Sequence, residues 1–391
     1  MTLTTKPGGR SEQRLPPAGG GKRTGSAFAP GLAPLSAIFR AAPMLPVVVI
    51  VTLALCVTID GFLSVGNMQN VLRQLSVMLI AVTGETLVLL IGGIDLSIGA
   101  TIGLASVCGA FVMHDTGSLT LGLLTCLATG GAIGALNGLG VAVGGLQPFI
   151  MTFGMMLTAR AVGFLLTGGR SVGRLPAALL HLGLTNLGVV PVVFLIGLCV
   201  ALAMEFVLRR TAFGQRIYLM GSNPRAAAFS GVAVERMKFQ VYLLSGIFAG
   251  LAAFVFMMRL GAASPTAGDQ LLLQIIGAVV LGGTSLAGGD GSIIRSILGA
   301  LLIAVIAKSL DLVGAQFWDQ MIVIGALTAF GSALGAWLSR LRTRDAKQGV
   351  VIVAASGEDN DKTILPVGSL ICCGDIVILA SAWDLHFVRL K

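Results

Sequence analysis

Gly92-Gly93-Ile94-Asp95-Leu96-Ser97-Ile98-Gly99 sets a carboxylate between glycines in the middle of an otherwise unbroken apolar run. A charge in that setting is expensive unless it is hydrated, paired or used as a helix cap. The glycines permit the helix to break, Asp95 is placed to accept from the free N–H groups of the helix that follows, and Ser97 adds a hydroxyl near that end. Two readings of Asp95 are compatible: a structural cap, and a group lining a solute pathway, since broken helices in transporters usually border a cavity.

Outward from this stretch the composition is that of a lipid-embedded chain. Of 391 residues, 55% are hydrophobic and 11% charged, and the mean hydropathy is +0.93. A soluble domain of this size would expose far more charge. Apolar windows fall at 44–59, 71–91, 94–113, 119–143, 149–167, 189–208, 241–260, 271–286, 293–307 and 321–338. They predict an all-α polytopic membrane protein with about ten transmembrane helices, the shorter windows needing polar flanks or a thinned membrane to cross. Basic residues gather in three places: Lys6 to Arg40, Arg209 to Lys238, and Arg340 to Lys347. All three are expected on the cytoplasmic side, so both termini are placed there, and even numbers of spans between the clusters agree with that. The +9 net charge is then a topology signal that also suits anionic lipid, and no nucleic-acid partner is expected.

Residues 1–42 are rich in Gly, Pro, Ser, Lys and Arg and are expected to form a disordered cytoplasmic segment; the apolar stretch starts too late for a cleaved signal peptide. Cys56, Cys108, Cys126 and Cys199 lie in predicted helices as packing residues, and no disulfide or metal framework follows from the cysteine spacing. His114, His181 and His386 stand far apart and outside any catalytic motif. Gly19-Gly20-Gly21-Lys22-Arg23-Thr24 lacks the glycine spacing and the hydroxyl of a phosphate loop, so the chain is expected to bind no cofactor and no ATP. The phenylalanines and methionines of the spans are read as lipid or core contacts. Arg160, inside a span, needs a partner, and Asp95 and Glu85 are the two considered, with a buried ion pair expected.

Further blocks follow in order: Asn137-Gly138, Gln147-Pro148-Phe149-Ile150-Met151-Thr152-Phe153-Gly154, Thr167-Gly168-Gly169-Arg170, Phe213-Gly214-Gln215-Arg216-Ile217, Gly221-Ser222-Asn223-Pro224-Arg225-Ala226-Ala227, and Gly282-Gly283-Thr284-Ser285-Leu286-Ala287-Gly288-Gly289-Asp290-Gly291. With the opening stretch they resemble the permease subunits of ribose-type ATP-binding-cassette (ABC) importers, which carry monosaccharides and are related to the branched-chain amino-acid permeases. The resemblance covers about 45–342. Two positions depart from it: Leu272 stands where a glutamate is expected, and Ala100 replaces a usual serine.

That resemblance implies a non-catalytic transport subunit of the bacterial inner membrane, with an inverted four-helix repeat relating helices two to five and seven to ten. It also implies a cytoplasmic ABC ATPase holding ATP and Mg, a sugar-binding protein outside, and a second permease, identical or a paralogue. Asp95, Ser97, Asn137, Thr152, Gly282 and Gly283 are candidates for the pathway or its gate, although packing and turning is the plainer reading of Thr152 and the two glycines. Within the cytoplasmic segment 209–238, Asn223 can cap, Pro224 suits a first helical position and Gly231 stops the run. By resemblance this short helix, with Gly221, Asn223, Pro224, Arg225, Ala226, Ala227 and Gly231, couples to the ATPase; a solvated connecting loop is the other reading. A nucleoside or branched-chain amino acid is an alternative solute. A secondary transporter or channel working without an ATPase is the alternative class.

Residues 343–391 read as a short β-rich or unstructured extension, with Val350 to Val353, Ile364-Leu365 and Ile376 to Leu379 separated by Pro366, Gly368 and Gly374-Asp375. Truncation after Gln348 is expected to leave membrane insertion and dimer formation intact. Size-exclusion of the detergent-solubilised protein reads this, and loss of folded protein would make the tail part of the core.

Overall fold

Apolar runs fold here into helices whose ends are set by hydroxyl caps, prolines and left-handed glycines. A computed structural model of the chain describes residues 44–316 and 318–331, together with short strands near the C-terminus. The segment 1–42 and the last basic cluster lie outside the described residues. Helix α1 (Leu45–Thr58) carries proline in its first turn, and α2 (Val65–Leu90) is capped by Ser64, which accepts from the Asn67 N–H. After the break come α3 (Ile98–Thr116), stopped by left-handed Gly117, and α4 (Leu119–Ala142), capped by Ser118. Helix α5 (Pro148–Thr167) starts on its proline and stops at left-handed Gly168. Then α6 (Ala177–Leu184) and the antiparallel pair β1 (Asn186–Leu187) and β2 (Val190–Pro191) lead into α7 (Val192–Arg210). Two short helices, α8 (Ala212–Ser222) and α9 (Pro224–Phe229), precede α10 (Val234–Leu260). Helices α11 (Asp269–Leu281) and α12 (Ile293–Leu312) and a helical stretch at 318–331 follow.

Seven of these helices, α2, α3, α4, α5, α7, α10 and α12, have the length and apolarity to cross a membrane; α1 and α11 are apolar but shorter. Within the described residues every predicted window falls on a helix, with shifted bounds, and the end of the last, 332–338, lies outside them. Helix α10 begins at Val234 rather than 241, and α11 ends at Leu281 rather than 286 because Gly282 and Gly283, the latter at φ +90°, turn the chain away. In the tail, β3 (Ile352–Val353) pairs with β4 (Ile364–Leu365), and β5 (Ile376–Ala380) with β6 (Leu385–Arg389), both antiparallel.

Helices α2, α3 and α10 supply most of the core, and α10 packs most extensively on α4. The reason is a paired small-residue motif the sequence reading passed over. Gly130 and Gly134 of α4 face Gly246 and Gly250 of α10, so a Cβ at Gly130 would strike the Gly246 carbonyl and lie 2.8 Å from the Gly250 nitrogen.

A second close approach joins the two breaks in the chain. Left-handed Gly92 (φ +76°) ends α2, and left-handed Gly261 (φ +66°) ends α10. Each is followed seven residues later by a glycine at the start of the next helix, Gly99 and Gly268, and the backbones of these two meet. Gly246→Leu is expected to cost more than the ~1–3 kcal/mol of ordinary overpacking, because backbone rather than side chain blocks it. Yield and melting temperature in detergent should fall, with Gly154→Ala, which has open space at its Cβ, as the unaffected comparison.

Candidate functional site

The break between α2 and α3 is held by a polar cluster drawn from four helices. Asp95 Oδ1 accepts from the Ser97 N–H at 2.9 Å and from the Ser97 hydroxyl at 2.6 Å, and Oδ2 accepts from the Ser245 hydroxyl of α10 at 3.4 Å. The Asp95 N–H donates to Glu85 Oε1 of α2 at 3.2 Å. Asn137 of α4 donates to the Ser97 hydroxyl oxygen at 2.8 Å. Thr152, one turn into α5, accepts from the Leu96 N–H at 3.2 Å and donates into the carbonyls of Pro148 and Ile94. Asp95 thus caps the turn at Ser97 and not, as expected from the sequence, the first turn of α3. Ser97 itself occupies the N-cap position with its hydroxyl turned back to the carboxylate, so α3 has no side-chain cap.

Asp95 is 3% exposed, and Glu85, Ser97, Asn137, Thr152, Tyr242 and Ser245 are fully buried. Four predicted residues, Asp95, Ser97, Asn137 and Thr152, therefore come together in an enclosed group. The sequence reading offers Glu85 only as a partner for Arg160, although the rule that singles out Asp95, a carboxylate in an apolar run, applies to it equally. Tyr242 and Ser245 carried no signal beyond lying three residues apart on one face of α10.

Gly282 and Gly283 belong elsewhere. A Cβ at Gly282 would strike the Arg295 carbonyl and approach Ser296, so this glycine lets the end of α11 sit against the start of α12. Around it the Thr284 and Ser296 hydroxyls lie 3.3 Å apart, and Thr86 of α2 donates to Ser296 at 2.9 Å. Glu205 of α7, which the sequence reading missed, pairs with Arg209 and accepts from the Ile293 N–H at 2.9 Å, capping α12 from outside.

The residues read as coupling to an ATPase form a third group. Asn223 Oδ1 accepts from the N–H groups of Arg225 and Ala226, both at 3.1 Å, Pro224 opens α9, and Gly231 has φ +82°. Ala227 is buried among Met220, Val234 and Met237. Gly221 wedges between the Leu90 carbonyl and Gly289, whose N–H donates to that same carbonyl at 2.9 Å. Tyr218 donates to the Gly291 carbonyl at 2.9 Å. Burial, and then the neighbouring Glu205 carboxylate, raise the Tyr218 hydroxyl above the ordinary tyrosine value, so it stays a donor. The segment 221–231 is therefore fastened to the end of α2 and to the loop after α11. At its far end Phe229 is 94% exposed.

Arg160 pairs with neither Asp95 nor Glu85 but with Asp269, the first residue of α11, and the pair is half-buried rather than buried. Asp95 takes its donors from Ser97 and Ser245, and Glu85 takes the Asp95 N–H. Leu272, where a glutamate was expected, rests against Gly99, and Asp269 supplies a carboxylate one turn earlier on the same helix.

The Glu85–Asp95 bond gives a direct test of what holds the break. Glu85→Gln keeps an acceptor for the Asp95 N–H and is expected to melt within a few degrees of the parent. Glu85→Ala strands that N–H in an enclosed site and should cost about 1–3 kcal/mol. Thermal unfolding in detergent checks both, and equal melting temperatures for the two variants would remove Glu85 from the framework.

Comparison with known proteins bears on this arrangement. Residues 67–331 match the family described as branched-chain amino acid transport system / permease component. The ribose import permease protein RbsC of Escherichia coli K12 is 39% identical over 291 residues, covering 71% of this chain and 88% of the relative. The fructose import permease protein FrcC of Rhizobium meliloti is 35% identical over 311 residues, covering 77% and 86%. The D-allose transport system permease protein AlsC of Escherichia coli K12 is 33% identical over 295 residues, covering 74% and 90%. No solved structure matches. With a family match running from early α2 to the end of the described helices, the chain belongs to the permease components of this transport family and is a multi-pass membrane protein.

Proposed function

We propose that the chain is the membrane subunit of an ABC importer that carries a monosaccharide across the bacterial inner membrane. The relatives named for ribose, fructose and allose import support the solute class. The observation that carries the mechanical part is the fastening of the 221–231 segment. Its short helix is capped by Asn223, ends in bare Phe229, and is tied through Gly221 to Leu90 and Gly289, so a push on it reaches the chain on either side of two glycine breaks.

In this reading both termini and the 209–238 segment are cytoplasmic. A separate ATPase binds ATP and Mg and grips α9 together with Phe229. A sugar-binding protein delivers solute on the other side, and a second permease completes the pathway. Closure of the ATPases shifts α9, and the breaks at Gly92 and Gly282-Gly283 let α2, α3, α11 and α12 move between inward-open and outward-open arrangements. Asp95, Ser97, Asn137 and Thr152 then keep one break in shape during the cycle, as a gate frame.

The test is reconstitution with the cognate ATPase and binding protein. The isolated chain should hydrolyse no ATP. Gly231→Val strains a left-handed position and Asn223→Ala removes a cap worth about 1 kcal/mol. Both variants should insert and dimerise normally, yet uptake should fall and the ATPase should bind weakly or ignore the loaded binding protein. Wild-type uptake and stimulation in both Gly231→Val and Arg225→Glu would reduce the segment to a connecting loop.

A further inference from the structure

The Arg160–Asp269 pair lies where an ion pair is hardest to keep. Arg160 follows Pro148 by twelve residues in the 20-residue helix α5, about 18 Å along a helix of about 30 Å. Asp269 opens α11, whose 13 residues span only about 20 Å, and Gly268 just before it touches the first turn of α3. Both charges therefore sit at the depth of the hydrocarbon core. Even so, the Arg160 side chain is 38% exposed and that of Asp269 31%. Charges open to their surroundings at that depth face water or a polar molecule, since lipid tails offer them nothing.

The same stripe of α5 carries Phe149, Phe153, Leu157 and Phe164, at the i, i+4, i+8 and i+15 positions around Arg160, and all are exposed. The rings of Phe149 and Phe153 stack 6.2 Å apart and are parallel within 1°. A flat apolar surface leading to a donor and an acceptor held side by side matches a monosaccharide, whose C–H faces are apolar and whose hydroxyls both donate and accept.

We propose that the Arg160–Asp269 pair and the phenylalanine stripe of α5 form one wall of the solute pathway. A neutral polyhydroxylated solute passes with its hydroxyls on the ion pair and its C–H face on the rings. This rests on the importer reading and gives Arg160, Asp269 and Phe153 solute-contacting roles that the sequence did not assign them.

The test uses proteoliposomes holding permease, ATPase and binding protein, with labelled D-ribose, D-fructose or D-allose as probes. Asp269→Asn and Phe153→Ala are expected to lower the solute carried per ATP hydrolysed by about tenfold or more. The exchanged double variant, Arg160→Asp with Asp269→Arg, restores an ion pair, so it should recover folded protein without recovering uptake. Recovery of uptake by the exchange would make the pair a strut and overturn the proposal. Leu157→Cys, in a chain whose native cysteines are replaced, should react with a charged, membrane-impermeant thiol reagent and be protected by the transported sugar. Absence of labelling would mean that lipid or a second copy covers the stripe, and would also overturn it. Failure of the wild-type assembly to show sugar-stimulated ATPase activity would instead remove the importer reading itself.

Discussion

A carboxylate enclosed among helices must find its hydrogen-bond donors inside the protein, and the arrangement around Asp95 follows from that requirement. Ser97 and Ser245 supply the donors, Glu85 holds the Asp95 N–H, and Asn137 and Thr152 fix the neighbouring turn. Satisfying the Asp95 carboxylate and the backbone and hydroxyl beside it thereby brings α2, α4, α5 and α10 to one place. The same end of α2 presents the Leu90 carbonyl to Gly289 and Gly221, so the framework of the break and the 221–231 segment share a single stretch of backbone.

Between helices in lipid there is little hydrophobic driving force, and close packing with internal hydrogen bonds has to replace it. The glycine pairs of α4 and α10 provide the packing. Hydroxyls that donate to carbonyls one turn back, such as Thr83 to Leu79 and Ser309 to Val305, satisfy themselves within their own helices and need no partner across an interface. The polar bonds that do cross gather at two places, around Asp95 and where α12 begins, where Thr86 meets Ser296 and the Ile293 N–H donates to Glu205.

Helix positions were legible in the sequence because apolar length is a strong signal, and the breaks because glycines next to polar residues interrupt it. The cap at Asn223 and the stop at Gly231 were legible for the same local reason: their chemistry acts on residues two to four positions away. What the sequence hid was long-range pairing. Arg160 meets Asp269 across more than a hundred residues, and Ser245 reaches Asp95 across 150. No local rule distinguishes those partners from other polar residues in the spans. Glu85, a carboxylate in an apolar run, and the small-residue spacing of Gly130/Gly134 and Gly246/Gly250 are local signals that the sequence does carry.

Gly99 and Gly268 meet backbone to backbone, with no side chain between them to adjust. Most packed positions tolerate drift, because a larger residue on one side is answered by a smaller one opposite. Here both sides are already at the minimum, and neither can compensate for a change in the other. Descendants of this chain are therefore confined to substitutions away from that crossing, and an insertion in either seven-residue connection would separate the two glycines. Gly154 of α5, with open space at its Cβ, carries no such limit, so the chain can change there while the crossing stays as it is.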